Sequence, residues 1–452
     1  MNKPKITVYI PSHNYGKYLE TAIESVLRQS VDNWELLVID DNSTDNTSNI
    51  MELYKGDSRV KLFTTSGIGL PAVCNLALKK ARGDYIIRLD ADDIFDENIL
   101  LVLGNYLNIN PDYAMVFSDY YLINENGEIF SHEKREKLYV NNHILDIPAN
   151  GACCLIRKSV LEGIGGYRED LGAQDGYDVW LKIKDKYKVS NINLPLFYYR
   201  RHGQNMTNRS HHIFAARYKI KYDNIKNRAS DFRPIIAIIP CRKNYDFCQD
   251  LWKRKISGKS LLQLDIEKCV KSQLFDHIVV ASDNSEVKEI ISLFNDSRLS
   301  FFQRKTEDTI RSQSLAITIE KTVSLLDPGW KGLSGVSYLQ APFVSIETME
   351  EAIFTLILNN ADCAFGVEEI KDPLFKRSPF GLQAINQTKG FNTDFDVIYR
   401  ETNTSLTVKN SNIKVGSLTG PSVVNFLVKS EEVFFIESEH KLKIADILMR
   451  SK

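Results

Sequence analysis

Apolar residues recur along the first 110 positions in two alternating rhythms. Short β-branched runs, KITVYIPS, WELLVIDD, VKLFTTS and DYIIRLDADD, read as strands, while YLETAIESVLRQS, TSNIMELYKG and LPAVCNLALKKARG carry the spacing of amphipathic helices. This alternation predicts a parallel, doubly wound sheet, which binds its ligands at the carboxyl ends of the strands. Polar residues gather at those ends: Ser12 and Asn14 after the first strand, Asp40 and Asp41 after the second, Asp90 and Asp92 after the fourth. The rhythm lapses between 203 and 233, where the chain is basic and polar with one helical stretch near 213 to 226. It restarts with PIIAIIPCRK, a helix from about 259 to 272, HIVVASDNSEV, GVSYLQAPF, IETMEEAIFTLILNN and DCAFGVEEI. The expected fold class is α/β, with two Rossmann-like domains at 1–210 and 233–452 and a connector at 211–232.

Charge narrows the function. The 57 Lys and Arg against 58 Asp and Glu leave a net charge of -1, which argues against a nucleic-acid binder relying on phosphate neutralisation. No apolar run approaches the roughly 18 residues of a membrane span. The segment MNKPKITVYIPSHN has no signal-like apolar core, so a cytoplasmic location is expected, compatible with peripheral attachment at the inner face of a membrane. The seven cysteines form no CxxC pair and read as reduced residues, mostly core, supporting neither a zinc site nor a disulfide framework.

The most telling stretch is YIIRLDADDIF, where an apolar strand ends in Asp90, Asp92 and Asp93. Carboxylates this close raise one another's pKa, so a positive partner is expected. Two readings compete: a solvated turn with a helix cap, and a divalent metal site. The neighbouring motifs favour the second. IPSHNYGKYLETAIESVLRQS, ELLVIDDNSTDNT, ARGDYIIRLDADD, AQDGYDVWLKI and YYRRHGQN follow one another across residues 4 to about 210, and in them the chain resembles family 2 glycosyltransferases of the GT-A fold. The resemblance implies transfer of a hexosyl or N-acetylhexosaminyl group from a nucleotide-sugar donor, UDP-linked by preference, to a glycan or other hydroxyl acceptor in surface polysaccharide or glycoconjugate synthesis. It also implies Mn2+ or Mg2+ at the diphosphate.

Carried over residue by residue, the resemblance makes Asp92 the metal ligand, turns Asp90 toward the ribose, and gives the base to Asp41 with Asp40, Pro11, Ser12 and Asn14 around it. Arg200 and His202 fall at diphosphate-contacting positions. Asp93 reads as a helix N-cap, and Asp45 as the cap of the turn DDNSTDNT. Inverting transfer needs a general base. Asp175 matches that position and Asp178 is the competitor; Gln174 stands where Glu is common, and Gly176 is read as lengthening the turn. The chain departs at Cys74, where many members place an Arg before the Asn that is Asn75 here.

Residues 234 to 450 resemble cytidylyltransferases that activate sialic and other nonulosonic acids, in IIAIIPCRK, ISGKSLLQLDIEKCVKSQLFDHIVVASDNSEV, SYLQAPF and FFIESEHKLKIADIL. The implied nucleotide site comprises Arg242, Lys253, Gln340, Glu437 and Glu439. Its chemistry reads as degenerate: Tyr245, Phe247 and Trp252 crowd a loop where phosphate needs close backbone approach, and Leu251 stands where the catalytic Lys belongs. Two further functions compete with the leading one: a bifunctional enzyme that also makes a CMP-nonulosonic acid, and a non-catalytic nucleotide-binding scaffold. A homo-oligomer formed through the second domain is the expected assembly.

Overall fold

The computed structural model describes residues 3–134, 151–203, 210–310, 313–370, 372–385 and 398–451. The chain divides into two compact units, with most residues up to Arg217 in the first and most from Tyr218 onward in the second.

In the first unit the elements run β1 (Ile6–Ser12), α1 (Gly16–Leu27), β2 (Trp34–Asp41), α2 (Thr47–Glu52), β3 (Val60–Thr65), α3 (Leu70–Lys80), β4 (Tyr85–Arg88), β5 (Ile94–Phe95), α4 (Ile99–Ile109), β6 (Tyr113–Ile123), β7 (Ile129–Glu133), β8 (Leu155–Arg157), α5 (Lys158–Gly163), α6 (Asp175–Lys184), β9 (Lys188–Arg200) and the part of α7 (Ser210–Ile225) up to Arg217. The strands form one sheet in the order β3-β2-β1-β4-β8-β6-β9-β5, with β7 paired to β6. Strands β3, β2, β1 and β4 are parallel, whereas β8 and β5 run against their neighbours. Every residue of β2 is buried, as expected of a strand covered on both faces. Ile6, Val8, Ile10, Leu36, Val38 and Ile87 meet Leu19, Ile23 and Val26 of α1 and Leu103 of α4 in the core. Register decides what lies at the edge: Ser12 sits opposite Asp40, and Asp41 opposite Thr65. The polar ends of three strands are therefore level.

The second unit is built on a seven-stranded sheet. Its four parallel strands, in spatial order Leu299–Gln303, His277–Ser282, Ile235–Cys241 and Leu333–Val336, are followed by the antiparallel strand Ile398–Lys409 and then by Cys363–Ile370 and Val423–Leu427. The stretch expected to be a connector contains α7, whose half from Tyr218 belongs to this unit. Lys221, almost fully buried, donates to Glu351 at 2.9 Å and to Thr355 at 3.0 Å on the helix Ile346–Asn359, and Ile220 and Ile225 are buried as well. Among the described residues no helix is long and apolar enough to cross a membrane.

Candidate active site

The acid that ends β2 is held by three donors. Asp41 Oδ1 accepts the Thr65 hydroxyl and, at 2.7 Å, the Ile68 N–H, while Oδ2 accepts the Gly69 N–H at 2.8 Å. Burial pushes its pKa up, but those donors together outweigh burial and hold it below the ordinary carboxylate value. Asp40 Oδ1 takes the Ser43 N–H at 3.0 Å. Ser12 is buried, and its hydroxyl oxygen has no hydrogen-bond partner among the described residues, while Pro11 is half-buried beside it.

Asn14, expected in the donor pocket, links two turns at this edge. It adopts a left-handed backbone (φ 61°), donates its N–H to Ser43 and accepts from the Thr44 N–H at 2.8 Å, so its side chain ties the β1 turn to the β2 turn. Asp45 accepts from the Gly16 N–H and from both the N–H and the hydroxyl of Thr47, satisfying donors at the starts of α1 and α2.

Beyond β4 the acids separate by environment. Asp93 caps no helix: β5 follows it, and its buried carboxylate accepts the Arg200 N–H at 2.8 Å, fastening the loop to the end of β9. Burial and then the charges of Asp92 and Asp90 raise its pKa well above the usual range. Burial likewise pushes Asp90 up to about 6, with Asp92 and Asp175 adding to the rise and Arg88 opposing it. Asp92 Oδ2 lies 2.9 Å from His202 Nε2, so the two residues expected at the metal and the diphosphate are adjacent. Arg200, expected at the diphosphate, is buried and tied into the protein: its Nε donates to the Asp92 carbonyl at 2.7 Å, and its Nη1 donates to the carbonyls of Asn124 and Glu125. The end of its motif, Gln204 and Asn205, lies outside the described residues.

Asp175 is the first residue of α6, following Gln174 in a left-handed conformation. Gly176 does not lengthen the turn. It is the helix's second residue, and a Cβ there would lie 2.7 Å from the Gly151 Cα, so the two glycines permit close backbone packing. Asp178 is fully buried and pairs with Lys182 at 2.6 Å. Burial raises its pKa and Lys182 opposes the rise.

Sequence reasoning missed Arg88. This buried residue ends β4, pairs through Nη1 with Asp175 Oδ2, and places Nε 3.0 Å from Asp90 Oδ1. A cation closing an otherwise apolar strand, YIIR, was the available signal. Its Nη1 also lies 3.8 Å from the Cys74 sulfur, so this guanidinium stands beside the position where the chain departs from the motif. Asn75 makes a clasp with Tyr167, donating to its carbonyl at 2.9 Å and accepting its N–H at 2.9 Å.

In the second unit each expected nucleotide contact has a partner within the protein. Arg242 reaches the Thr309 carbonyl at 3.3 Å and stacks on Tyr245; Lys253 pairs with Asp250 at 3.1 Å. Gln340 bonds Ile436 through side chain and backbone, Glu437 pairs with Lys441, and Glu439 pairs with Arg254, both at 2.6 Å. Leu251 is wholly buried.

A mixed sheet with acids aligned at the carboxyl ends of its parallel strands is the architecture of the GT-A glycosyltransferase class. The chain belongs to glycosyl transferase family 2, whose sequence model matches residues 7–165. It is 31% identical over 193 residues to the UDP-Glc:alpha-D-GlcNAc-diphosphoundecaprenol beta-1,3-glucosyltransferase WfgD of Escherichia coli, covering 42% of this chain and 73% of that protein. It is 27% identical over 217 residues to the chondroitin synthase of Pasteurella multocida, covering 45% and 21% of the two chains. The crystal structure of S. aureus TarS 1-349 in complex with UDP-GlcNAc is similar at 19% identity and a TM-score of 0.42, over 49% of this chain and 66% of that one. The chain spans a third or less of several other curated relatives, 33% of a Rickettsia conorii glycosyltransferase and 30% of the Escherichia coli chondroitin synthase among them.

Proposed function

We propose that the first unit is an inverting glycosyltransferase that takes its sugar from a UDP-linked donor and delivers it to a glycan or other hydroxyl acceptor. The observation that carries this reading is the juxtaposition of Asp175 with Asp90 through Arg88, next to the Asp92–His202 pair. Asp41, Asp40, Pro11 and Ser12 would receive the base. Asp41 Oδ2 accepts one N–H and keeps lone-pair capacity for another donor, and the orphan Ser12 hydroxyl needs a polar partner. Asp175 would take the proton of the attacking hydroxyl as that oxygen bonds to the anomeric carbon and the nucleoside diphosphate departs. Its Oδ1 accepts no hydrogen bond among the described residues, leaving an oxygen for that proton.

Mn2+ or Mg2+ fits the donor set. Among the described residues no three acidic, His or Cys side chains form a cage, but the neighbouring carboxylate and imidazole of Asp92 and His202 suit a cation that takes its remaining ligands from phosphate and water. When bound, the cation would neutralise charge on the departing diphosphate.

For the second unit the reading is a cytidylyltransferase-like domain that positions or stabilises without catalysis, supported by the buried Leu251 and by the ion pairs that engage Lys253, Glu437 and Glu439. A thermal-shift panel of UDP-, GDP-, CMP- and dTDP-sugars with Mn2+ tests the donor, since a ligand of the native state raises stability by RT ln(1 + [L]/Kd). Stabilisation by UDP-sugars is expected. Stabilisation only by another nucleotide class would overturn the base assignment.

A further inference from the structure

We propose that Arg88 is a positioning residue for sugar transfer, holding the Asp175 carboxylate in its working orientation with Asp90 as a second anchor. The proposal rests on the assignment of Asp175 as the base.

Arg88 closes β4 among buried groups that include the hydrogen-bonded pair Tyr9 and Tyr167, whose hydroxyls lie 2.9 Å apart, and the buried Cys74. Its guanidinium touches two carboxylates from different elements, Asp90 just after β4 and Asp175 at the start of α6, 87 residues beyond Arg88. The contact to Asp175 uses Oδ2 alone. The carboxylate is thus gripped on one side, and Oδ1 stays outside the grip. Room for the guanidinium is provided by Gly151: a Cβ there would lie 2.6 Å from Arg88 Nη2 and 3.3 Å from Cζ. The guanidinium donates a directed hydrogen bond to Asp175 through Nη1 and holds Asp90 by charge alone, its Nε making no hydrogen bond among the described residues, whereas an ammonium is a point charge without that directionality. Without the fork, Asp175 would still be near its place but free to rotate, and a misplacement of about 1 Å can cost on the order of 100-fold in rate.

The test uses the full-length protein with Mn2+ and UDP-glucose, or UDP-N-acetylglucosamine if that sugar nucleotide is the one that stabilises it, and follows UDP release with water as the acceptor. Arg88→Lys should fold and bind UDP within about threefold of wild type while kcat falls roughly 10- to 100-fold. Gly151→Ala keeps the charge and displaces the fork, so it should slow kcat in the same direction even if Arg88→Lys does not fold. The decisive comparison is Arg88→Lys combined with Asp175→Asn. If Arg88 acts through Asp175, the double variant is no slower than Asp175→Asn alone. Multiplying losses would mean that Arg88 serves the fold generally, and wild-type kcat in both Arg88→Lys and Gly151→Ala would also overturn the proposal. Wild-type turnover by Asp175→Asn would instead overturn the base assignment itself, a separate failure visible in the single variant.

Discussion

Asp41 shows how one carboxylate can serve both fold and site. Its two oxygens gather the Thr65 hydroxyl and the N–H groups of Ile68 and Gly69, closing the loop after β3 onto the end of β2. Asp41→Asn replaces one acceptor oxygen with an NH2 group facing an N–H, and should destabilise the protein by about 1–3 kcal/mol at neutral pH. The pH dependence has a definite sign. The folded pKa is depressed, so the charged form's stabilisation is complete above the unfolded value of about 4 and disappears as pH falls through the lower folded value. Unfolding curves of wild type and Asp41→Asn should therefore converge toward low pH; a gap that is constant from neutral to strongly acidic pH would contradict this account. Asp41 and Asp92 stood out in the sequence because acids at strand ends are anomalous. The tasks of Asn14, Asp93 and Arg200 did not, because each bonds a partner from a distant or separately folded turn that spacing cannot reveal.

Elements were legible where one periodicity ran unbroken, as in β1, β2, α1 and the helix Ile346–Asn359. Close approaches were less legible. A Cβ on Gly16 would lie 2.1 Å from Asn46 Oδ1 and 2.8 Å from the Thr47 nitrogen, so α1 can start beside α2 only with glycine there. Gly16→Ala should cost about 1–3 kcal/mol, read as a lowered urea midpoint; an unchanged midpoint would show that the turn yields freely. The helix near 213 to 226 was legible, but the packing of its second half into the second unit was not, because a buried cation, Lys221, interrupts the apolar pattern of a helix that packs. Removing one partner of a buried ion pair leaves the other uncompensated, so Lys221→Ala should destabilise the second unit by on the order of 3–5 kcal/mol. A loss below about 1 kcal/mol would instead place the pair among weak surface contacts.

Across the whole molecule, two α/β units follow from the interrupted rhythm of strands and helices, and the departures from family motifs divide their chemistry. Full-length protein given CTP, Mg2+ and a nonulosonic acid should release no pyrophosphate, because the cations near the loop at 242–254 are already engaged with Asp246, Asp250 and Glu439. Release that disappears in Lys253→Ala would establish a second activity. For the first unit the central claim is that Asp175 is the base and Asp178 a buried structural acid. Asparagine preserves the shape of Asp175 but cannot take the proton, so the most direct measurement is the rate of UDP release by Asp175→Asn, with UDP affinity determined in parallel. The account predicts a rate about 100-fold or more below wild type with nucleotide affinity retained. Wild-type turnover by Asp175→Asn, together with an inactive but folded Asp178→Asn, would contradict it.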